Sequence, residues 1–258
     1  MADLDFSMEQ EHLGDLLDTV RGGATTNVDI AFVIDGTGSM SPVINTVKSF
    51  ALSFYDDVVE GLKKFNKKVN QFRVKVIVFR DYYCDGSYAM EESDFFYLPD
   101  ENEEFEEFVS SIEAKGGGDA PENALEALAL AMRSDWVTEG TSKRHAIVLF
   151  TDAPAHPFEK AEGVTIPSYP TPMFKSYLEL LEAWNSADQG SYEDDDSKSM
   201  FNMDKNARRL IVFGPDAEPW TDMQSDFEQC FMTQMESDSG CGELDKEIII
   251  NTISKSVK

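Results

Sequence analysis

Ile30-Ala31-Phe32-Val33-Ile34-Asp35-Gly36-Thr37-Gly38-Ser39 is the stretch from which the fold can be read. Its five leading apolar residues describe a strand buried on both faces, as in a parallel sheet. An acid, two hydroxyls and two glycines follow at the carboxyl end. Glycine lets the backbone turn tightly, so Asp35, Thr37 and Ser39, at alternate positions, can all be aimed at one hard cation through oxygen. A plain strand-to-helix turn is the alternative, because one short motif often matches by chance.

Working outward, the apolar run starts at Val28, and the glycine loop leads into Ser41-Pro42, an N-cap with proline in the first turn. Val43, Val47, Phe50, Phe54 and Val58 then recur at helical intervals. Residues 72–79 form a second strand. Residues 95–98 follow too closely for a crossover helix, so this short strand is expected to lie antiparallel to the second. An acidic helix over 101–112 buries Phe105, Phe108, Val109 and Ile112, and Gly116-Gly117-Gly118 ends it. Asp119-Ala120-Pro121-Glu122 opens the next helix with a D-x-x-E capping pattern, and Leu125, Leu128 and Met132 form its buried stripe. Asp119 reads either as that cap or as a ligand.

Residues 145–150 make another buried strand, ending in Thr151-Asp152-Ala153-Pro154. Asp152 is thus a second carboxylate where open α/β sheets bind ligands, with a turn cap as the alternative. Helices over 174–184, 219–227 and 243–257 and strands over 210–213 and 229–235 complete the order. This succession describes an α/β, doubly wound, Rossmann-like sheet of six strands, mostly parallel with one short antiparallel strand, and helices on both faces. Right-handed crossovers that set 28–34 beside 145–150 bring Asp35, Thr37, Ser39 and Asp152 to one crevice, which Asp119 reaches from the side.

Composition narrows the partners. In 258 residues, 22 Lys+Arg stand against 49 Asp+Glu, a net charge of −27. Such a surface repels nucleic acid and anionic membranes and concentrates cations. Cys84, Cys230 and Cys241 are odd in number and lack CxxC spacing, which argues against a disulfide framework or a zinc site and fits a reducing cytoplasm. The acidic N-terminus carries no signal-peptide pattern, and no apolar run is long enough to span a membrane. Residues 1–26 carry Leu13, Leu16, Leu17 and Val20 at helical spacing, expected as a helix or arm packed on the domain, with a partner-binding helix as the alternative. One domain is expected over 27–258, interrupted at 185–206 by a polar, mobile insert whose Glu193-Asp194-Asp195-Asp196 lacks the spacing of a calcium loop.

Over about residues 27–258 the chain resembles the von Willebrand factor type A (vWA) domains. Their metal-ion-dependent adhesion site uses D-x-S-x-S in a first loop, one residue in a second and an aspartate in a third. Asp35, Thr37 and Ser39 match the first, the segment 116–122 with Asp119 the second, and Asp152 the third. Phe79-Arg80-Asp81-Tyr82, Gly117-Gly118-Asp119-Ala120-Pro121-Glu122 and Thr151-Asp152-Ala153-Pro154-Ala155-His156 look most like the intracellular subset found beside alpha-kinases and in hemicentin-like proteins. Two positions depart from the pattern: Thr37 replaces the usual first serine, and Asp119 stands where adhesive members have threonine.

The resemblance implies Mg²⁺, or alternatively Mn²⁺ or Ca²⁺, held by Asp35, Thr37, Ser39, Asp119 and Asp152. It also implies a non-catalytic adaptor or scaffold of a cytoplasmic assembly that grips an acidic side chain of a protein partner through the ion. That partner includes the case of a separately encoded kinase or ATPase, since this chain has no kinase or P-loop motif. A third carboxylate is expected to hold the ion firmly and to weaken its demand for the partner's acid. The rival reading is a metal-dependent phosphoester hydrolase with Asp35 as nucleophile or the ion as Lewis acid, His156 or Asp81 as acid or base, and Arg80, Lys143 or Arg144 as phosphate clamp. His12, His145 and His156 read first as core or surface residues, with only His156 in a predicted site loop, and Trp136, Trp184 and Trp220 as core anchors.

Overall fold

β1 (Thr25–Asp35) lies at the centre of the sheet, and both of its neighbours run parallel to it. The computed structural model describes residues 25–64, 68–118, 120–140, 142–158, 168–186 and 203–234. The expected N-terminal helix, most of the acidic insert and the closing helix at 243–257 lie outside these residues.

After β1 come α1 (Ile44–Lys64), β2 (Lys68–Phe79), α2 (Tyr82–Asp85), β3 (Met90–Glu92), β4 (Phe96–Tyr97), α3 (Asn102–Ser111) and α4 (Ala124–Met132). β5 (Ser142–Phe150), α5 (Tyr177–Asn185), β6 (Arg208–Gly214), α6 (Trp220–Asp226) and β7 (Cys230–Gln234) follow. The strands are ordered β3-β2-β1-β5-β6-β7, with β4 also paired to β2. β1, β2, β5, β6 and β7 are mutually parallel, while β3 and β4 run antiparallel to β2. The doubly wound sheet expected from the sequence is therefore present, with seven described strands in place of six and two short antiparallel strands in place of one. Met90-Glu91-Glu92 is too short and too polar to show a strand period, and backbone pairing to Ile77, Val78 and Phe79 makes it a strand.

Two apolar layers bury the sheet. Phe32, Val148 and Phe150 pack with Phe50, Phe54 and Val58 of α1 and with Phe105 and Val109 of α3. On the other face Ala31, Val33, Leu149 and Val212 meet α4, α5 and α6, with Trp136, Trp184 and Trp220 fully inside, as anchors of the core. All nine residues of α4 are buried, more than the predicted stripe of Leu125, Leu128 and Met132. Apart from Glu126, whose buried carboxylate accepts the Tyr169 hydroxyl at 2.8 Å, it is made of apolar residues and has no polar side to turn outward. Ser41 differs from its expected role too: its hydroxyl donates back to the Gly38 carbonyl at 2.7 Å, and α1 begins at Ile44.

Toward the amino end of the sheet, three polar side chains on adjacent strands satisfy one another. Arg73, Asp29 and His145 lie side by side on β2, β1 and β5. Arg73 donates through Nε and Nη2 to the Asp29 carboxylate at 2.9 and 2.6 Å, and the Val137 amide donates to the same carboxylate at 2.6 Å. His145 Nε2 lies 3.0 Å from the Val137 carbonyl, while its Nδ1 accepts the Asp204 amide at 3.2 Å. This pattern fixes a neutral imidazole with its proton on Nε2, and burial lowers its pKa to about 4. Together they tie the loop after α4 across three strands and so set where β5 enters the sheet. Removing one partner of a buried ion pair strands the other, at a cost of about 3–5 kcal/mol. Asp29→Ala is accordingly expected to lose about that much stability in urea unfolding.

Candidate functional site

Loops from β1, β2, α3 and β5 meet at the carboxyl end of the sheet. Gly36 starts the first. Its amide donates to the Phe79 carbonyl at 2.9 Å, and a Cβ there would sit 2.6 Å from Val78 Cγ1, so the loop crosses β2 too closely for a side chain. Asp35, at the end of β1, is fully buried. Its Oδ1 accepts the Thr37 amide at 2.9 Å and the Thr37 hydroxyl at 2.6 Å, and its Oδ2 accepts the Thr151 hydroxyl at 2.7 Å. Thr37 Oγ1 is 3.0 Å from Ser39 Oγ, which donates to Asp152 Oδ1 at 2.9 Å. Each hydroxyl gives its single proton to a carboxylate, so Asp35, Thr37, Ser39 and Asp152 form one contiguous chain of oxygens in which Thr37 and Ser39 only touch. Burial pushes the Asp35 carboxyl up to about 6, against the pull of its hydrogen bonds from Thr37 and Thr151.

Arg80 holds the surrounding loops. Its Nε donates to the carbonyls of Gly36 and Lys115, each at 3.0 Å, and Nη2 to that of Glu113 at 3.0 Å. Nη1 donates to the Tyr88 carbonyl at 2.9 Å and to Glu91 Oε1 at 2.6 Å. The buried guanidinium is therefore committed to backbone and to one exposed acid, which leaves it unsuited to clamp a phosphate. Lys143 and Arg144 lie at the opposite end of β5, about 20 Å from the loops at the strand's rise per residue, and are not near the site. Asp81 and His156 are both buried, with His156 Nε2 3.7 Å from Asp81 Oδ2, and Asp81 Oδ1 caps α2 by accepting the Tyr83 amide at 2.7 Å.

The glycine loop after α3 joins the first loop through Gly38 N to Gly116 O at 3.0 Å and Lys115 N to Gly36 O at 2.9 Å. Gly117 has a positive φ of 70°, and a Cβ on it would meet Glu122 Oε1 at 2.9 Å and Thr37 Cβ at 3.0 Å. Only glycine fits between them. Glu122 was expected to cap a helix, and the structure corrects this. α4 starts at Ala124 after Asn123, whose side-chain oxygen accepts the Tyr82 amide at 2.7 Å. Glu122 instead pairs its backbone with the third loop, donating to the Pro154 carbonyl at 3.0 Å and accepting the His156 amide at 2.7 Å. Its side chain is 4% exposed. Burial first, then the charges of Asp35, Asp81, Asp85 and Asp152, push its carboxyl up to about 8.

Of the residues expected at the site, Asp35, Thr37, Ser39 and Asp152 are brought together, and Asp119 lies outside the described residues. Thr151 and Glu122 were missed. A hydroxyl directly before Asp152 was the only signal for Thr151. Among the described residues no three His, Cys, Asp or Glu side chains gather into a metal site of their own; the oxygens here are two carboxylates linked by hydroxyls.

A family model described as von Willebrand factor A domain matches residues 29–168, more than half of the chain. The chain belongs to this family. Alpha-protein kinase vwkA of Dictyostelium discoideum is 30% identical over 133 residues, a match covering 52% of this chain and 19% of that protein. The chain therefore spans about a fifth of that relative's length. The pilus adhesin SpaC from Lactobacillus rhamnosus GG has a TM-score of 0.49 at 13% identity, over 90% of this chain and 31% of that one. Proximal thread matrix protein 1 from the mussel byssus has a TM-score of 0.43 at 14% identity, over 90% and 46%.

The acids of this vWA domain set a pH dependence. Asp35 and Glu122 have folded pKa values above their unfolded ones, so the folded state holds extra protons between the two values. The stability they contribute is complete below about pH 4 and is lost as pH rises through about 6 and about 8. In EDTA the melting temperature is expected to fall between about pH 5.5 and about pH 8.5, and to fall less in Glu122→Gln.

Proposed function

We propose that this vWA domain is a non-catalytic, metal-ion-dependent protein-binding module, an adaptor or scaffold that engages an acidic side chain of its partner through a divalent cation. The observation that carries the reading is the chain from Asp35 through Thr37 and Ser39 to Asp152. It joins oxygens from two distant loops around a buried carboxylate that no cationic side chain pairs among the described residues.

The donors fit such an ion. All are hard oxygens, which suits Mg²⁺, Mn²⁺ or Ca²⁺, and the nitrogen and sulfur donors that zinc prefers are missing from the set. Asp35, Thr37, Ser39 and Asp152 would hold it, with Asp119 proposed as a further carboxylate of the second loop. When bound, the ion supplies an electrophilic centre that accepts a carboxylate from outside. Thr151 fixes Asp35 from within; Asp35 and Thr37 are buried, whereas Asp152 is half-buried and Ser39 exposed. A partner therefore approaches on the Ser39 and Asp152 side. The kinase named among the relatives supports a partner in a kinase-containing assembly. No described helix is long and apolar enough to cross a membrane. The hydrolase reading is weaker, because Arg80 is committed and Lys143 and Arg144 are at the far end of β5.

An ion present at about 100 times its Kd stabilises the folded state by about 2.7 kcal/mol. For a chain of this size that is about 5–10 °C in melting temperature. Wild type is expected to show this rise with Mg²⁺, and Asp35→Ala to show none. Affinity capture from lysate is expected to retain partners with Mg²⁺ and release them with EDTA. An equal Mg²⁺ response in Asp35→Ala would remove the site.

A further inference from the structure

Arg144, near the start of β5, carries a buried guanidinium that the fold hardly uses. It is 5% exposed, and its Nη1 donates to the carbonyl of the adjacent Lys143. Its Nε and Nη2 are shielded from solvent and donate to nothing. Burial first, and then the like charge of Arg209, lower its pKa to about 10, with no acid acting in the other direction. Burying a guanidinium without a counter-charge opposes folding, and an apolar side chain of similar length would fill the space without that cost. The neighbouring cations are treated differently. Lys143 pairs with Asp204 at 3.0 Å and Arg73 with Asp29 at 2.6 Å, in a chain that has 49 acids to offer.

Strand register shows what surrounds Arg144. Ser142 and Arg144 are two residues apart on β5 and so share one side of the sheet. Arg209 of β6 stands level with Ala146, which puts it on that side too. Asp29 and His145 alternate with Val28 and Arg144, so the Asp29 carboxylate belongs to the opposite face. Arg209 is 7% exposed and donates through Nη1 to the carbonyls of Asn206 and Arg208 at 3.2 and 2.5 Å. Ser142 Oγ accepts the Thr26 hydroxyl at 3.2 Å, which leaves it a proton of its own to give. Two adjacent strands thus supply N–H and O–H donors and two positive charges, and among the described residues no carboxylate bonds to Ser142, Arg144 or Arg209.

We infer that Ser142, Arg144 and Arg209 form a site for a small tetrahedral oxyanion of the phosphate or sulfate class, at the end of the sheet away from the Asp35 crevice. A guanidinium presents paired N–H groups that match the oxygens of such an ion, and the Ser142 hydroxyl can donate to a third oxygen. Ser142 and Lys143 are partly exposed and mark the open side, while the guanidiniums behind them are covered, so the site takes a compact ion in place of an extended ligand. The bound anion supplies the charge that Arg144 lacks and ties the starts of β5 and β6 together.

Calorimetric titration of sodium phosphate into the full chain, in metal-free chloride buffer of constant ionic strength, tests it, with thermal melting in the same buffer. Wild type is expected to bind phosphate saturably, and sulfate to compete. Arg144→Met is expected to bind at least about 10-fold more weakly, the usual effect of losing a hydrogen bond to a charged group. Without phosphate it is expected to melt no lower than wild type, because it removes an uncompensated charge and keeps the length of the side chain. Ser142→Ala, at the partly exposed edge, is expected to weaken phosphate binding while melting as wild type does in chloride. Asp35→Ala is expected to bind phosphate normally, which separates this site from the metal-dependent reading. Absence of saturable binding by the wild type would overturn the inference, as would undiminished affinity in Arg144→Met or in Ser142→Ala. An Arg144→Met protein that melts lower in chloride, or does not fold, would show the guanidinium to be satisfied within the fold and overturn it too.

Discussion

The constraint on which this structure turns is the burial of a carboxylate at the end of its central strand. β1 has a parallel neighbour on each side and apolar layers on both faces, so whatever follows Ile34 emerges inside the protein. That residue is Asp35. Three hydrogen bonds from Thr37 and Thr151 stabilise its charge only in part, which is why its carboxyl still sits well above the usual range. The loops then arrange further oxygens outward from it, toward Asp152 and solvent.

The two ends of the sheet handle charge in opposite ways. At the amino end Asp29 is matched by Arg73 and by a backbone amide, and His145 is held neutral. Arg144 and Arg209, at the starts of β5 and β6, are buried at this same end. At the carboxyl end, Asp35, Asp81, Glu122 and Glu126 are buried within a few loops of each other, and the main cation among them, Arg80, turns to carbonyl oxygens. The Asp29 carboxylate is neutralised within the fold, whereas Asp35 has no cationic side chain paired to it among the described residues, and an external cation can supply that charge.

Much of this was legible in the sequence. The apolar run into Asp35, the matching run into Thr151 and Asp152, and the short return at residues 95–98 gave the parallel core, the adjacency of β1 and β5 and the antiparallel neighbour of β2. What escaped depended on tertiary pairing. β3 is a strand because β2 offers it an edge, and α4 is buried on all sides because two neighbouring layers enclose it. Glu122 follows the spacing of a helix cap, and only its backbone pairing with Ala155 turns it away from the helix toward the crevice. Arg80 looked like a phosphate ligand because its type suited one, whereas its environment is made of carbonyls that no local pattern encodes.

Arg80 also determines which part of the crevice can yield. One planar group joins the first loop, the glycine loop and the turn before β3, so those three segments move as a single collar or not at all. The loop bearing Asp152 is not held by Arg80; it meets the first loop through Ser39 and Asp35 and, through Glu122 and Ala155, the start of α4. Traction applied at Asp152 therefore has two mechanical routes, one through Ser39 into the collar and one through Glu122 into the start of a buried helix.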